Sequence, residues 1–275
     1  MRAAAGGALA VRRRVFVDKY WSGTMAAMAW MLAAALTVGA DGAPPQGWVA
    51  VDPPKTEAEL RCANVSRDRW NVEVAGADVQ LRPASRSRRT TMVGAALRDG
   101  ALIGHNHGEF GGSIEWWPRD GGARFELLHV NPVAWTLYRG EAVVAEGLIH
   151  LGTDRGAVLR FERRDGRRWR IHRLAELDAA PVAALRESED RWLLLLSDGL
   201  VRVDLASGQA QRLYRNPDWT YLAPDTIRPL GAGWLLGSAR GAIRLEPAAG
   251  GGYRERLWVP RECASLQPQC SCGDA

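Results

Sequence analysis

The feature that most constrains the fold of this chain is a short phrase that recurs at a fixed interval. Apolar and polar residues alternate around Arg160, and the same pattern returns around Arg202 and Arg244, so that neighbouring arginines are 42 residues apart both times. In each copy an acidic residue, a glycine and a second arginine follow at the same distances: Glu162, Gly166 and Arg170, then Asp204, Gly208 and Arg212, then Glu246, Gly250 and Arg254. A spacing kept at four positions indicates an internal repeat.

The units of this repeat have the pattern of four short strands separated by turns. Between Pro181 and Tyr214, four runs of apolar or alternating residues are separated by turns rich in glycine, serine and aspartate. The run at 192–196 is apolar throughout, which is typical of a strand covered on both faces, whereas the run at 200–204 alternates. Such units, with a period of about 42 residues, are typical of the blades of a β-propeller. The sequence therefore predicts an all-β fold, a β-propeller.

We expect about five four-stranded blades in this propeller. Their units are placed at residues 69–82, 92–130, 142–171, 182–214 and 226–258. In the third unit, residues 142–144 are interpreted as the first strand and residues 148–151 as the second. The arginines of the repeated phrase fall on third strands, where we interpret them as structural. The architecture resembles that of exported bacterial propellers of the WD40, Kelch or regulator type, and this resemblance identifies no specific family.

The first forty residues have the pattern of an export signal. Arginines at 12–14 precede an apolar run from Met25 to Ala40, and the small residues at 38–40 suit a signal peptidase. The apolar run is shorter than the roughly 20 residues of a membrane-spanning helix. We therefore predict a cleaved signal at 1–40, no permanent membrane span, and a periplasmic or secreted protein. The general and the twin-arginine export routes both stay open.

The remaining chain is interpreted as a leader at 41–62, a propeller at 63–262 and a cysteine-containing tail at 263–275. One short helix is predicted near the end of the leader, since Thr56 and Glu59 have the spacing of an N-terminal capping pattern.

Net charge argues against nucleic acid as a partner. The whole chain carries a formal charge of +5, but residues 1–40 hold five basic residues and one acidic residue. The rest of the chain therefore has 31 basic and 30 acidic residues. A nucleic-acid-binding protein is expected to keep a basic surface, so the sequence predicts no nucleic-acid partner.

The four cysteines agree with export. An even number of cysteines in an exported chain indicates disulfides, and these lie at the two ends of the folded region, at Cys62, Cys263, Cys270 and Cys272. In a ring the two ends must meet, so a bond from Cys62 to one of the terminal cysteines is expected to tie the first blade to the last. Zinc is the alternative, although the spacing of Cys270 and Cys272 lacks the usual two intervening residues.

The unusual side chains collect in the loops that open on one face of a propeller. In such rings the turns between second and third strands, and the links from outer strand to next inner strand, surround the central channel. On this basis the predicted ligand-binding residues are Trp135, Trp219, Asp154, Asp198, Arg155, Arg240 and Asp218. The two tryptophans suit a glycan or a protein partner if their rings are exposed, and a capping role between blades if they are buried.

One loop in the second unit contains three side chains that could bind a metal ion. His105, His107 and Glu109 alternate along an extended segment, so their side chains are expected to point the same way and to hold a divalent metal. The glycines that follow favour the other interpretation, a tightly packed turn. The stretch from Gly108 to Gly112 also resembles a phrase of uncharacterised exported propellers, a likeness of five residues that implies no activity.

The sequence predicts binding rather than catalysis. It contains no G-x-S-x-G nucleophile elbow, phosphate-binding loop or dinucleotide fingerprint, so no catalytic residue and no cofactor beyond the metal are predicted. We therefore expect a propeller that binds a glycan or a protein in the bacterial cell envelope. The alternatives are a metal-dependent, lactonase-like hydrolase or lyase, and a structural scaffold of an envelope complex.

Overall fold

Antiparallel strands dominate the part of the chain that the computed structural model describes, residues 42–76, 78–84, 91–164 and 168–264. The predicted export signal and the residues after 264, with Cys270 and Cys272, lie outside these ranges. Every described residue belongs to one unit, Gly39–Ala275.

Three four-stranded sheets follow one another along the chain, each with its strands in sequence order. The second sheet contains β4 (Thr91–Leu97), β5 (Gly100–Asn106), β6 (Gly112–Pro118) and β7 (Phe125–Leu128). The third sheet contains β8 (Pro132–Tyr138), β9 (Glu141–His150), β10 (Thr153–Arg164) and β11 (Arg168–Leu177). The fourth sheet contains β12 (Pro181–Arg186), β13 (Arg191–Leu196), β14 (Gly199–Asp204) and β15 (Ala210–Arg215).

The first and fifth sheets depart from this plan. The first sheet, as far as the structure describes it, is a hairpin of β2 (Trp70–Ala75) and β3 (Asp78–Pro83). The fifth sheet contains β16 (Thr226–Leu230), β17 (Gly233–Gly237), β18 (Ala242–Pro247) and β19 (Tyr253–Pro260), and β1 (Trp48–Val51) pairs with the outer edge of β19. The predicted leader thus contributes a fifth strand to the last sheet.

Two short helices connect these sheets. Helix α1 (Glu57–Val65) begins with the predicted capping box, in which the backbone N–H of Glu59 donates to the Thr56 hydroxyl and the Glu59 carboxylate accepts from the Thr56 N–H. Helix α2 (Trp219–Leu222) lies in the link before β16 and was not predicted. Single 3₁₀ turns occur at Gly108–Phe110 and Arg261–Cys263.

The first strands of neighbouring sheets contact one another in a continuous order. Strand β4 lies beside β8, β8 beside β12, β12 beside β16, and β16 beside β2 of the first sheet. The N-terminal hairpin therefore packs on the C-terminal sheet, and the backbone N–H of Trp70 donates to the carbonyl of Ser238 at 3.1 Å. The sequence prediction of several four-stranded sheets is confirmed.

The hydrophobic core lies between neighbouring sheets rather than at one centre. Strand β13 shows the arrangement best, because Leu193 and Leu195 pack toward the fifth sheet while Leu194 and Leu196 pack toward the third. All four leucines are fully buried. The prediction that this apolar strand is covered on both faces is therefore confirmed.

Prolines at the start of first strands pack against glycines of the preceding sheet. A Cβ atom on Gly104 would lie 2.6 Å from Pro132 Cγ. Equivalent Cβ atoms on Gly147 and Gly156 would lie 2.6 and 2.5 Å from Pro181 Cδ. Real Cβ atoms do not approach other atoms so closely, so these positions require glycine for the sheets to meet.

The predicted boundaries of the third unit were wrong. Residues 142–144 and 148–150 belong to one strand, β9, and the first strand of the sheet is β8. Residues 132–136, in the gap between the predicted second and third units, are part of this strand. The other three four-stranded units have the strand order that the sequence predicted.

The repeated arginines lie on third strands and make hydrogen bonds within one sheet or between two sheets, as their structural interpretation predicts. Arg160 donates to the carbonyl of Leu205, which directly follows β14 of the next sheet. Arg202 makes two bonds to the Glu187 carboxylate at 2.5 and 2.9 Å. Arg244 is buried and donates to three carbonyls, those of Leu230, Trp234 and Leu245.

Candidate functional site

Residues in or directly beside four sheets, and in the link before the fifth, meet around a cavity of about 390 Å³. The wall has contributions from Arg69 before β2, Asn106 and Gly108 at the end of β5, Val133 and 147–149 in the third sheet, 180–182 and Ser197 in the fourth unit, and 219–220 and 223–225 in the link before β16. Positions more than 150 residues apart in the sequence thus line one space, for example Arg69 and Asp225.

The wall of the cavity is mainly apolar. Valine, leucine, isoleucine, proline and alanine side chains supply most of the lining. A concave apolar wall with a few polar groups is the usual composition of a small-molecule site.

Most polar side chains in the wall are already bonded to nearby protein groups. The Asn106 amide donates to Pro132 O at 3.1 Å, and its oxygen accepts from Gly108 N–H at 2.8 Å. The Ser197 hydroxyl donates to the Asp154 carboxylate at 2.7 Å. These groups shape the wall and have little capacity left for a ligand.

Arg69 and Asp225 form the charged part of the wall. Their closest nitrogen and oxygen, Nη1 and Oδ2, are 3.5 Å apart. The same Nη1 donates to the carbonyl of Ala223 at 3.3 Å. The backbone of Arg69 is held in place because this residue forms a β-bridge with Ala239 of the fifth sheet. Neither residue was predicted as part of a site, because neither lies in a repeated phrase, although Asp225 falls in a link predicted to open on this face.

Trp219 lines the cavity but does not present a ring for stacking. Its exposed fraction is 0 %, and its indole N–H donates to Glu255 at 3.1 Å. The same carboxylate oxygen accepts from the Tyr214 hydroxyl at 2.7 Å and from Asn216 at 3.0 Å. Burial, followed by the bond to Glu255, raises the pKa of Tyr214. Trp219 is therefore a capping residue between the fourth and fifth sheets, and the neighbouring Asp218 does not line the cavity.

Trp135, Asp154 and Arg155 lie in strands rather than in channel loops. Trp135 is in β8, with its ring partly buried 6.2 Å from that of Phe161. Asp154 and Arg155 are in β10, after the turn at 151–152. Asp154 accepts from the backbone of Ala180 at 2.6 Å and so joins the third sheet to the fourth. Arg155 is exposed and is not part of the wall.

Asp198 and Arg240 lie in the predicted turns, but both are buried in protein contacts. Asp198 pairs with Arg212 at 2.7 Å and with Arg215 at 3.1 Å. Arg240 is 6 % exposed and has a positive φ of 68°. Burial lowers the pKa of Arg240, and Asp68 and Glu59 oppose that shift. Neither residue lines the cavity.

The three predicted metal ligands are not arranged as one ligand set. The rings of His105 and His107 are 6.3 Å apart, and the Glu109 carboxylate instead contacts His150 Nδ1 at 2.8 Å. No group of three or more histidine, cysteine, aspartate or glutamate side chains in the described part of the chain is placed to hold a metal ion.

Apolar side chains are exposed on the turns beside the cavity. Phe110 is 84 % exposed and Leu151 is 91 % exposed. The contact between Glu109 and His150 places their two turns next to each other. Leu151 also has a positive φ of 43°, which is unfavourable for a leucine.

The two described cysteines are buried at opposite ends of the chain. Cys263, in the last 3₁₀ turn, packs in the core between the fourth and fifth sheets. Cys62, in α1, is also buried, and neither cysteine is a free thiol.

Comparison with known proteins gives no family for this chain. No protein-family model matches it, and no curated protein matches it. Among the residues in the described ranges, no helix has the length and apolar character needed to cross a membrane.

Proposed function

We propose that the protein is an exported, non-catalytic binding protein that holds a small ligand in the cavity where its units meet. The observation that carries this proposal is the convergence of the first four units, and of the link before the fifth, on one mainly apolar space of about 390 Å³. That volume is in the range of small-molecule sites, about 300–1,000 Å³. No recognised catalytic pattern accompanies it in the sequence.

The proposal includes a closed ring of five units. Its support is the order of contacts from β4 through β8, β12 and β16 to β2, together with a cavity that is lined by the first four units and by the link before the fifth. In such a ring the cavity is the opening of the central channel. Function then belongs to the site rather than to the fold.

A cavity ligand is favoured over a glycan on an exposed aromatic platform. Trp219 is fully buried and Trp135 packs against Phe161. A sugar would also need several unengaged polar partners, whereas Asn106 and Ser197 are already bonded within the protein.

A variant in which a larger side chain fills the cavity tests this function. Leu148 lines the cavity, whereas Leu137 lies in β8, is 46 % exposed and is not part of the wall. We expect a fragment library screened by saturation-transfer NMR to give hits on the wild-type protein. Leu148→Trp should remove those hits, and the matched control Leu137→Trp should keep them. Circular dichroism checks the folding of both variants, and hits that survive in a folded Leu148→Trp protein would refute the cavity as the site.

A protein partner is the second candidate, and the exposed Phe110 and Leu151 favour it. Apolar side chains this exposed are expected to be covered when a partner binds. Crosslinking in envelope extracts, followed by mass spectrometry, should detect a partner that the variant Phe110→Ser fails to retain. An unchanged crosslinking pattern would leave the cavity as the functional site.

Export and the disulfides form the last part of the proposal. We propose that Cys62 and Cys263 pair with Cys270 and Cys272, so that the C-terminal tail is tied to helix α1. Non-reducing peptide mapping of the protein from a periplasmic fraction tests both points. Recovery of the protein only in the cytoplasm, with reduced cysteines, would contradict them.

A further inference from the structure

We infer that the ligand of the cavity is a small carboxylate with an apolar body, and that Arg69 is the residue that binds its carboxyl group. This inference rests on the proposed binding function of the cavity.

Arg69 is the cavity side chain with the most donor capacity left. Only its Nη1 has protein partners among the described residues, at 3.3 Å from Ala223 O and 3.5 Å from Asp225 Oδ2. The 3.5 Å separation from Asp225 is long for a charge-assisted hydrogen bond. Nε and Nη2 make no hydrogen bond within the described ranges, and the side chain is 27 % exposed. One edge of the guanidinium group is therefore available to a ligand.

The other polar side chains of the wall lack comparable donors. Asn106 and Ser197 donate to protein oxygens, and the Thr220 hydroxyl donates to Pro217 O at 2.9 Å. The ligand should consequently carry an acceptor that a single arginine can satisfy. A planar carboxylate matches the two parallel N–H groups of an arginine edge.

The rest of the wall restricts the chemical nature of the ligand body that carries the carboxylate. Val133, Leu148, Ile149, Pro181 and Val182 offer no hydrogen bonds from their side chains. A hydroxyl or a second charge placed against them would lose water without gaining a partner, at a cost of about 1–3 kcal/mol. An aromatic or branched aliphatic acid avoids this cost.

The position of Arg69 is fixed before a ligand arrives. The bridge to Ala239 and the bond from Trp70 N–H to Ser238 O hold its backbone against the turn between β17 and β18. Asp225 and the Ala223 carbonyl orient one side of the guanidinium group. Less side-chain entropy is then lost on binding.

Three compounds with one apolar body test the ligand class: 3-phenylpropanoate, 3-phenylpropanamide and 3-phenylpropylamine. We expect the acid to bind at least about tenfold more tightly than the amide by isothermal titration calorimetry, and the amine to bind no better than the amide. Arg69→Met should reduce the affinity for the acid to that for the amide. Arg69→Lys should recover part of it, because lysine keeps the charge but not the paired donors. The control Arg155→Met removes an exposed arginine outside the wall and should leave all three affinities unchanged.

The outcomes separate the ligand class from the cavity function. Equal affinity for acid and amide, a preference for the amine, or an acid affinity that survives Arg69→Met would overturn the carboxylate inference while fragment binding upheld the cavity. Binding of fragments without binding of any of the three compounds would overturn it as well. If no fragment bound the wild-type protein, the proposed function itself would fail. If Arg69→Met did not fold, the ratio of acid to amide affinity in the wild-type protein and in Arg69→Lys would decide.

Discussion

The third and fourth sheets have the same antiparallel four-strand order, yet only the fourth has the strand boundaries that its sequence predicts. In the fourth sheet each glycine-containing turn lies where a strand ends, and Gly208 has the positive φ of 78° expected of a turn residue. In the third sheet Gly147 lies in the middle of β9. From the sequence, the residues around Gly147 were predicted to separate two strands.

The difference comes from two uses of glycine that look alike in a sequence. Gly147 and Gly156 lie opposite each other in β9 and β10, and both face Pro181 at the start of the fourth sheet. They are glycines because the proline ring occupies the space of a side chain, not because the backbone turns. A glycine needed for packing against a distant residue therefore imitates a turn signal.

The largest expected effect comes from filling that space. Gly156→Val would bring a Cβ to 2.5 Å from Pro181 Cδ and 2.6 Å from the Glu146 carbonyl, so we expect the free energy of unfolding to fall by about 3 kcal/mol. Gly250 has no neighbour within 4 Å of such an atom, and Gly250→Ala should change stability by less than about 0.5 kcal/mol. Urea denaturation measures both, and equal stabilities would contradict the packing explanation.

The repeated arginines provide the second test. Arg202→Met removes two bonds to Glu187 within the fourth unit, and Arg160→Met removes the bond from the third sheet to Leu205, directly after β14 of the fourth. We expect each to cost about 2 kcal/mol. Only Arg160→Met should increase hydrogen exchange at the third and fourth sheets together. Identical exchange patterns for the two variants would mean that Arg160 does not join the sheets.

A smaller effect, this time a gain in stability, is expected from a substitution at the turn between β9 and β10 of the third sheet. Leu151 has a left-handed backbone and an exposed side chain, whereas the equivalent turn of the fourth sheet contains Ser197 and Asp198. Leu151→Asn should raise the free energy of unfolding by about 0.5–1 kcal/mol, since asparagine tolerates this conformation. Thermal denaturation checks the gain, and a loss of stability would show that the leucine makes contacts that offset its strain.

The smallest effect concerns the half-buried Glu146 of β9. Burial raises the pKa of its carboxyl group, with Arg173 and Arg155 opposing the shift. A raised pKa in the folded state favours folding at acid pH, and that contribution is lost as the pH rises through the folded pKa. Glu146→Gln should therefore raise the melting temperature by about 1–3 °C at neutral pH, and the gain should shrink in acid. A gain that is constant with pH would assign the effect to another cause.

Local patterns were sufficient wherever a strand and its turn follow each other directly. The apolar run of β13, the turn at 197–198 and the capping box of α1 all depend on residues a few positions apart, and the structure has them as predicted. The candidate site was harder to predict. Channel loops were expected to carry its side chains, but Asp198 and Arg240 are engaged in protein contacts, and Trp219 is buried.

By itself the sequence determined that this protein is built from repeated antiparallel sheets, because strand periodicity, turns and a 42-residue interval are properties of neighbouring residues. The tertiary structure decided that Arg69 and Asp225 share one cavity and that Gly147 and Gly156 accommodate Pro181. These contacts join residues from different sheets, and no local pattern encodes them. Their distances depend on how the sheets pack together. That packing depends on buried contacts along the whole chain and not on any short stretch of residues.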